Sequence, residues 1–198
     1  MTSDGPIVAF RNRTEDEIRD IYVSRLEAGR WTEPKAVHDD GWRINACPVN
    51  GPMLSARGRD VAIAWFTMKE NQGQVYVALS KDAGRTFGAP IRVDDGGSLG
   101  RVDVELLPDG SVLPSWIEFA NQKAELRVRR IDASGMRSGA VTVTALNSTR
   151  SSGYPRMARA GDELVFAWTE VTRGVTGLPD GTLRVQTAVM PVSGVRVP

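Results

Sequence analysis

Four short apolar runs along this chain each end in an aromatic residue: Ile7-Val8-Ala9-Phe10, Val61-Ala62-Ile63-Ala64-Trp65, Val112-Leu113-Pro114-Ser115-Trp116 and Leu164-Val165-Phe166-Ala167-Trp168. The aromatics lie 55, 51 and 52 residues apart. A second run follows each: Asp20-Ile21-Tyr22-Val23, Gln74-Val75-Tyr76-Val77, Glu125-Leu126-Arg127-Val128 and Thr182-Leu183-Arg184-Val185. A third closes each unit: Pro34-Lys35-Ala36-Val37, Pro90-Ile91-Arg92-Val93, Ala140-Val141-Thr142-Val143 and Gly194-Val195-Arg196-Val197. Three units also carry a run ahead of the aromatic one: Met53-Leu54-Ser55-Ala56, Val102 to Leu107 and Arg156-Met157-Ala158-Arg159. β-Branched and aromatic residues fill the runs, and Gly, Asp and Asn punctuate them, which is strand-and-turn chemistry. The stretch Thr14 to Arg19 could make one helical turn; no segment shows sustained helical periodicity.

A repeat of about fifty residues built only of strands predicts an all-β fold, a β-propeller of four-stranded antiparallel blades. The expected blades are 1–37, lacking its first strand, then 51–93, 101–143 and 154–198. Three and a half blades on their own leave long unpaired edges. The pattern therefore reads as the carboxyl-terminal part of a larger, six-bladed ring whose start is cut or assigned late. A self-contained four-bladed ring is the alternative.

One stretch stands out within the repeat: Ser80-Lys81-Asp82-Ala83-Gly84-Arg85-Thr86-Phe87. It sits where the third and fourth strands of a blade reverse. Asp82 can accept backbone N–H bonds as in an Asx turn, Gly84 suits a positive φ, Ser80 and Thr86 can bond back to the loop, and Phe87 can tuck beneath it. Turn chemistry accounts for every residue of the stretch, without catalysis. A degraded copy runs from Ser24 to Trp31, keeping the glycine and the aromatic, and Asp132-Ala133-Ser134-Gly135 keeps less.

Composition narrows the partners. Charged residues make up 25% of the 198 and the net charge is +1, so no overall field draws in nucleic acid or an anionic membrane. No run is long enough to insert into a membrane, and Met1 to Pro6 has neither the basic start nor the apolar stretch of a signal peptide. The one cysteine, Cys47, excludes an internal disulfide and a multi-cysteine zinc site. No cofactor is expected.

Strand direction places the Ser80–Phe87 turn on one face and the longer loops, 11–20, 37–52, 94–101 and 144–156, on the other, where function is expected. The 37–52 connection holds His38, Asp39, Asp40, Trp42, Arg43 and Cys47. His38 with its acids is short of the three or four ligands a metal needs, so no metal is assigned. Cys47 reads as a small buried residue. Trp42 can stack on a sugar or pack between blades; Arg43 and Arg11 are further ligand-binding candidates. Arg101 and Arg156 begin first strands near the mouth of the expected channel, and Glu118 and Glu170 each follow a blade tryptophan by two. Such arginines can hold a carboxylate, and such glutamates can orient them or exchange protons. Arg–Glu pairing between blades on a solvated rim is the competing reading.

At Ser80, Asp82, Gly84, Thr86 and Phe87 the chain resembles the Asp-box, or bacterial neuraminidase repeat, family of sialidase-like propellers. The resemblance implies a six-bladed propeller, glycoside hydrolysis, Asp boxes on the face opposite the site, and relatives that are often exported. It further implies three arginines on the substrate carboxylate, a tyrosine–glutamate nucleophile pair and an aspartate acid/base. The first arginine and the aspartate fall in early blades, upstream of this chain. Arg101 and Arg156 correspond to later arginines by position only, Tyr154 lies near the rim, and the usual Arg-Ile-Pro signature is absent. Two functions follow as expectations. One is a glycosidase-related propeller that recognises a glycan or another small carboxylate-bearing ligand with an incomplete catalytic site. The other is a non-catalytic interaction platform. Self-association through unpaired blade edges is expected with either.

Overall fold

The computed structural model describes residues 1–146, 153–173 and 179–197; the side chains of 171–173 and 179–182 are outside that description. Part of the 144–156 connection, residues 147–152, therefore lies outside the described residues. The chain is nearly all β and forms four antiparallel sheets in sequence order. The first holds β1 (Ile7–Arg11), β2 (Ile21–Glu27), β3 (Arg30–Trp31) and β4 (Lys35–Ala36). The second holds β5 (Met53–Arg57), β6 (Asp60–Thr67), β7 (Gln74–Ser80) and β8 (Ile91–Arg92). The third holds β9 (Ser98–Leu106), β10 (Val112–Ala120), β11 (Lys123–Val128) and β12 (Val141–Leu146). The fourth holds β13 (Arg156–Ala160), β14 (Glu163–Arg173) and β15 (Pro179–Pro191).

The repeat is exact at the level of register. Phe10 lies opposite Tyr22, Trp65 opposite Tyr76, Trp116 opposite Arg127 and Trp168 opposite Gln186. Because strand side chains alternate between faces, Trp65, Trp116 and Trp168 point at the preceding sheet, and the residues after Phe10, Trp65 and Trp116 at the following one. Three cores result. Ile7, Ile21 and Val23 of the first sheet meet Val61, Ile63 and Trp65 of the second. Ala64, Phe66, Val75 and Val77 of the second meet Val102, Val104 and Trp116 of the third. Leu113, Leu126 and Val128 of the third meet Met157, Leu164 and Phe166 of the fourth. Each sheet is buried on a face only because another sheet lies on it, which is how blades stack.

β9 runs between the first strands of its neighbours. Ser55 Oγ accepts the Leu106 N–H at 3.0 Å, and Asp103 and Glu105 accept the N–H groups of Met157 and Arg159 at 2.9 and 3.2 Å.

Three local expectations are corrected. Gly194-Val195-Arg196-Val197 is not a strand: a 3₁₀ turn at Val192–Gly194 follows β15, and Val195 plugs the core between the third and fourth sheets. The fourth sheet therefore has three strands among the described residues. Thr14 to Arg19 makes no helix; Ile18 bridges to Arg43 instead. The Ser24–Trp31 copy of the turn motif is a two-residue hairpin, with Ala28 and Gly29 at φ of 49° and 77°, the conformation that suits the strand twist.

Candidate functional site

The Ser80–Phe87 turn is held from within. Asp82 accepts the Thr86 N–H at 2.9 Å, the Thr86 hydroxyl at 2.6 Å and the Ser80 hydroxyl at 2.7 Å, while Ser80 Oγ accepts the Gly84 N–H at 2.9 Å. Burial by itself raises the Asp82 carboxyl; the Thr86 and Ser80 bonds outweigh it and hold the group well below the usual carboxylate range. Ala83 and Gly84 both take positive φ. Phe87 packs beside the core between the first two sheets. The loop also ties to the first sheet, where Arg85 meets Asp4 at 2.7 Å and Glu27 at 2.8 Å. Asp132 repeats one bond of this turn by accepting the N–H of Met136, four residues on. The side chains of Ser80, Asp82 and Thr86 are thus engaged within the turn itself.

On the opposite face the 37–52 connection crosses toward the inner strands and gathers several candidates. The Asn50 carbonyl accepts Arg11 Nε at 3.0 Å and Nη2 at 2.8 Å. Asn50 Oδ1 accepts the Arg101 N–H at 3.0 Å, and the Tyr154 hydroxyl donates to the Val49 carbonyl at 2.7 Å. Arg11 from the first sheet, Arg101 from the third and Tyr154 from the connection into the fourth thus converge on residues 49–50. Asn50 was not among the sequence candidates. Its signal was weak: one polar residue in a Cys47-Pro48-Val49-Asn50 stretch with no motif around it.

Arg11 also bonds the carbonyls of Phe66, at 2.6 Å, and Arg19, and its guanidinium lies 4.8 Å from the Trp42 ring centroid. Burial pushes that guanidinium down to about 10, with Asp40 and Asp20 pulling the other way. Trp42 is buried edge-on against Phe66, so its role as a sugar platform is corrected: the ring is interior and Arg11, half-buried, already occupies its face. Cys47 is corrected the other way, being exposed. Arg43 is exposed, 4.0 Å from Asp16.

Beside this crossing lies a cavity of about 380 Å³ lined by Arg11, Asn12, Arg13, Arg19, Asn45, Ala46, Cys47 and Pro48. Its wall carries three guanidiniums, two carboxamides and no carboxyl group. The nearest acid is Glu17, which bonds Arg13 Nε at 3.1 Å and Arg19 Nη2 at 2.5 Å and is held below the usual range chiefly by Arg13. Arg19 is fixed by a further bond to the Ile44 carbonyl at 3.3 Å. The hairpin loop between β1 and β2 places all three arginines, because Arg11 ends β1 and Arg19 precedes β2. Arg13 and Arg19 escaped the sequence reading, which had no way to see that a nine-residue loop folds them onto one wall.

The rim acids separate. Glu118 is buried, not solvated: it accepts Trp116 Nε1–H at 2.9 Å, the Asp95 N–H at 3.0 Å and Arg127 Nη1 at 2.7 Å. Trp65 makes the equivalent indole bond to Asp40 at 2.7 Å, and Asp40 in turn holds His38 Nδ1 at 2.9 Å. Glu170, opposite Arg184 across β14 and β15, is exposed. Arg156 bonds Asp103 at 3.0 Å rather than a glutamate. Asp103 is buried on β9, and burial raises its carboxyl against the N–H groups of Met157 and Val104 and the Arg156 charge. It too was missed, although Val102-Asp103-Val104-Glu105-Leu106 alternates acids with aliphatics on a strand. Among the described residues no group of three or more His, Cys, Asp or Glu could hold a metal ion.

No family model and no curated protein matches this chain. Solved structures do share its fold. The Hadza microbial sialidase Hz136 aligns at TM-score 0.50 and 18% identity, over 94% of this chain and 42% of that one. A xylan β-1,4-xylosidase from Bacillus halodurans C-125 aligns at 0.54 and 10%, over 94% and 38%. The GH43 protein BlXynB from Bacillus licheniformis aligns at 0.55 and 13%, over 93% and 37%. This chain spans about two fifths of the length of these structures and has, over that span, the β-propeller fold that glycosidases use.

Proposed function

We propose that this chain recognises a carboxylate-bearing glycan in the cavity walled by Arg11, Arg13 and Arg19, and that its own residues do not complete a hydrolytic site. The observation that carries the reading is that wall: three guanidiniums and the amides of Asn12 and Asn45 around about 380 Å³, on the face opposite the Ser80–Phe87 turn. Guanidinium forks match carboxylate geometry, and amides match sugar hydroxyls. Arg11 and Arg19 are the preorganised members, since bonds to the carbonyls of Asn50, Phe66 and Ile44 fix them before any ligand arrives; Arg13, the exposed one, supplies the adjustable charge. Arg101 and Tyr154, tied to residues 49–50 next to the cavity, extend the same surface. The fold likeness to a sialidase supports a sialic acid as the first ligand to try. Treating Ser80–Phe87 as an Asp box belongs to the same proposal.

Hydrolysis is held apart for a physical reason. Glu118 and Asp103 each have their oxygens engaged by two or three protein donors, so neither is placed to exchange a proton with a glycosidic oxygen. Titration calorimetry with free N-acetylneuraminic acid and with neutral xylose tests the reading. The acidic sugar is expected to bind and xylose not, with binding weakened about tenfold or more by Arg19→Ala, as for loss of a charge-assisted pair. Equal affinity for both sugars, or no effect of the substitution, overturns it. Turnover of a fluorogenic sialoside by this chain overturns the second half alone.

A further inference from the structure

The register of the repeat singles out the outer face of the fourth sheet. The position opposite the residue after each blade aromatic is Ile21, Val75, Leu126 and Val185. Ile21 is 1% exposed and Val75 and Leu126 are 0% exposed, each beneath the next sheet. Val185 is 71% exposed. Two residues earlier on the same face, Ala124 is 2% exposed and its counterpart Leu183 is 62% exposed. Val189 continues the stripe at 56%. The fourth sheet thus ends in the aliphatic surface that carries a following blade elsewhere in this molecule.

The opposite end of the stack shows the matching half. Two residues before each aromatic, Ile63 and Phe166 are fully buried against the preceding sheet, whereas Val8 of the first sheet is 41% exposed. Phe10 and Tyr22, with ring centroids 6.4 Å apart, complete that face and are only half-buried. One chain therefore carries one open face of the kind a following blade covers and one of the kind a preceding blade covers. Isolated apolar stripes of this kind on a folded surface mark interaction sites.

We infer that the occupant of the Leu183–Val185–Val189 face is the Val8–Phe10–Tyr22 face of a second copy of this chain, joined head to tail. The contact repeats the packing already present three times within the chain, between faces of the same register. It joins two different faces, and two copies related by a two-fold axis make it twice over, so the pair closes without leaving either face open. Closure gives eight sheets, within the range of about four to eight blades that propellers adopt. The inference does not depend on the ligand reading, because neither face includes a residue of the arginine-lined cavity.

Sedimentation velocity of the 198-residue chain tests it. The expected particle has twice the 21.5 kDa chain mass. Val185→Glu is expected to weaken association by at least ~30-fold, the loss seen when a buried anchor is replaced, while circular dichroism stays unchanged because Val185 is exposed within the single chain. Cysteine pairing fixes the geometry independently. In a Cys47→Ser background, Val8→Cys and Val185→Cys proteins are each expected to stay uncrosslinked alone and to crosslink when mixed under oxidation. A monomer at micromolar concentration overturns the inference and leaves a further blade of a longer polypeptide as the occupant. Crosslinking of Val185→Cys protein alone overturns it in favour of a pair joined through its two Val185 faces.

Discussion

Replacing Glu118 with alanine separates a structural carboxyl from a catalytic one. In the wild type Glu118 accepts three hydrogen bonds while almost wholly buried. The substitution strips the acceptor from the Trp116 indole N–H and the Asp95 N–H. Each buried donor left unsatisfied costs about 1–3 kcal/mol. Arg127 is less affected, since it keeps Glu125 through Nε at 3.0 Å and Nη2 at 2.8 Å. That places the total near 3 kcal/mol, at the lower edge of the ~3–5 kcal/mol for breaking a buried pair outright. With a urea slope of about 3 kcal/mol/M for a chain of this size, the unfolding midpoint falls by about 1 M. Glu118→Gln keeps an acceptor for the indole and is expected to lose less than half as much. The assay is equilibrium urea unfolding followed by circular dichroism. A midpoint shift below about 0.3 M for Glu118→Ala, or about 1 kcal/mol and a third of the expected loss, refutes the reasoning. It returns Glu118 to the solvated rim.

Other outcomes follow from the same bonds. Asp82→Ala removes the acceptor for the Thr86 N–H and both hydroxyls and is expected to destabilise the protein by about 2 kcal/mol at neutral pH. Because the folded Asp82 carboxyl is lowered, its stabilisation is complete above the ordinary carboxylate value and lost as pH falls through the native one, so the variant should show a shallower acid-side loss of stability in thermal melts. Trp65→Phe deletes the indole donor to Asp40 at 2.7 Å in a fully buried setting, with an expected cost of about 2–3 kcal/mol in urea unfolding. Gly100→Ala puts a Cβ 2.8 Å from the Asn50 side chain and the Phe66 ring at φ +76°, and is expected to cost about 1–3 kcal/mol and to broaden the Asn50 amide signal in NMR spectra.

Most of the strands and their order were legible in the sequence because they rest on local rules. Alternation, β-branched content and glycine-marked turns do not need distant partners, and the 51–55 residue spacing of Phe10, Trp65, Trp116 and Trp168 repeats the same local solution four times. The Ser80–Phe87 turn was legible for the same reason, as the bonds among Ser80, Asp82, Gly84 and Thr86 that shape it join residues within four positions of each other. What the sequence could not decide is which side of a strand or loop another part of the chain covers. Trp42 and Cys47, five residues apart in one loop, end one inside and one outside because Phe66 and Arg11 cover the first, while the second lines an open cavity. Glu118 was misplaced on a solvated rim because its burial depends on Asp95 and Arg127, from outside its own strand. The wall of Arg11, Arg13 and Arg19 exists only because Asn50, Phe66 and Ile44 offer carbonyls that pin two of them. Val75 and Val185 hold the same place in the repeat, yet one is sealed and the other bare. Sequence determines the faces a blade presents; stacking alone determines which of them meets water.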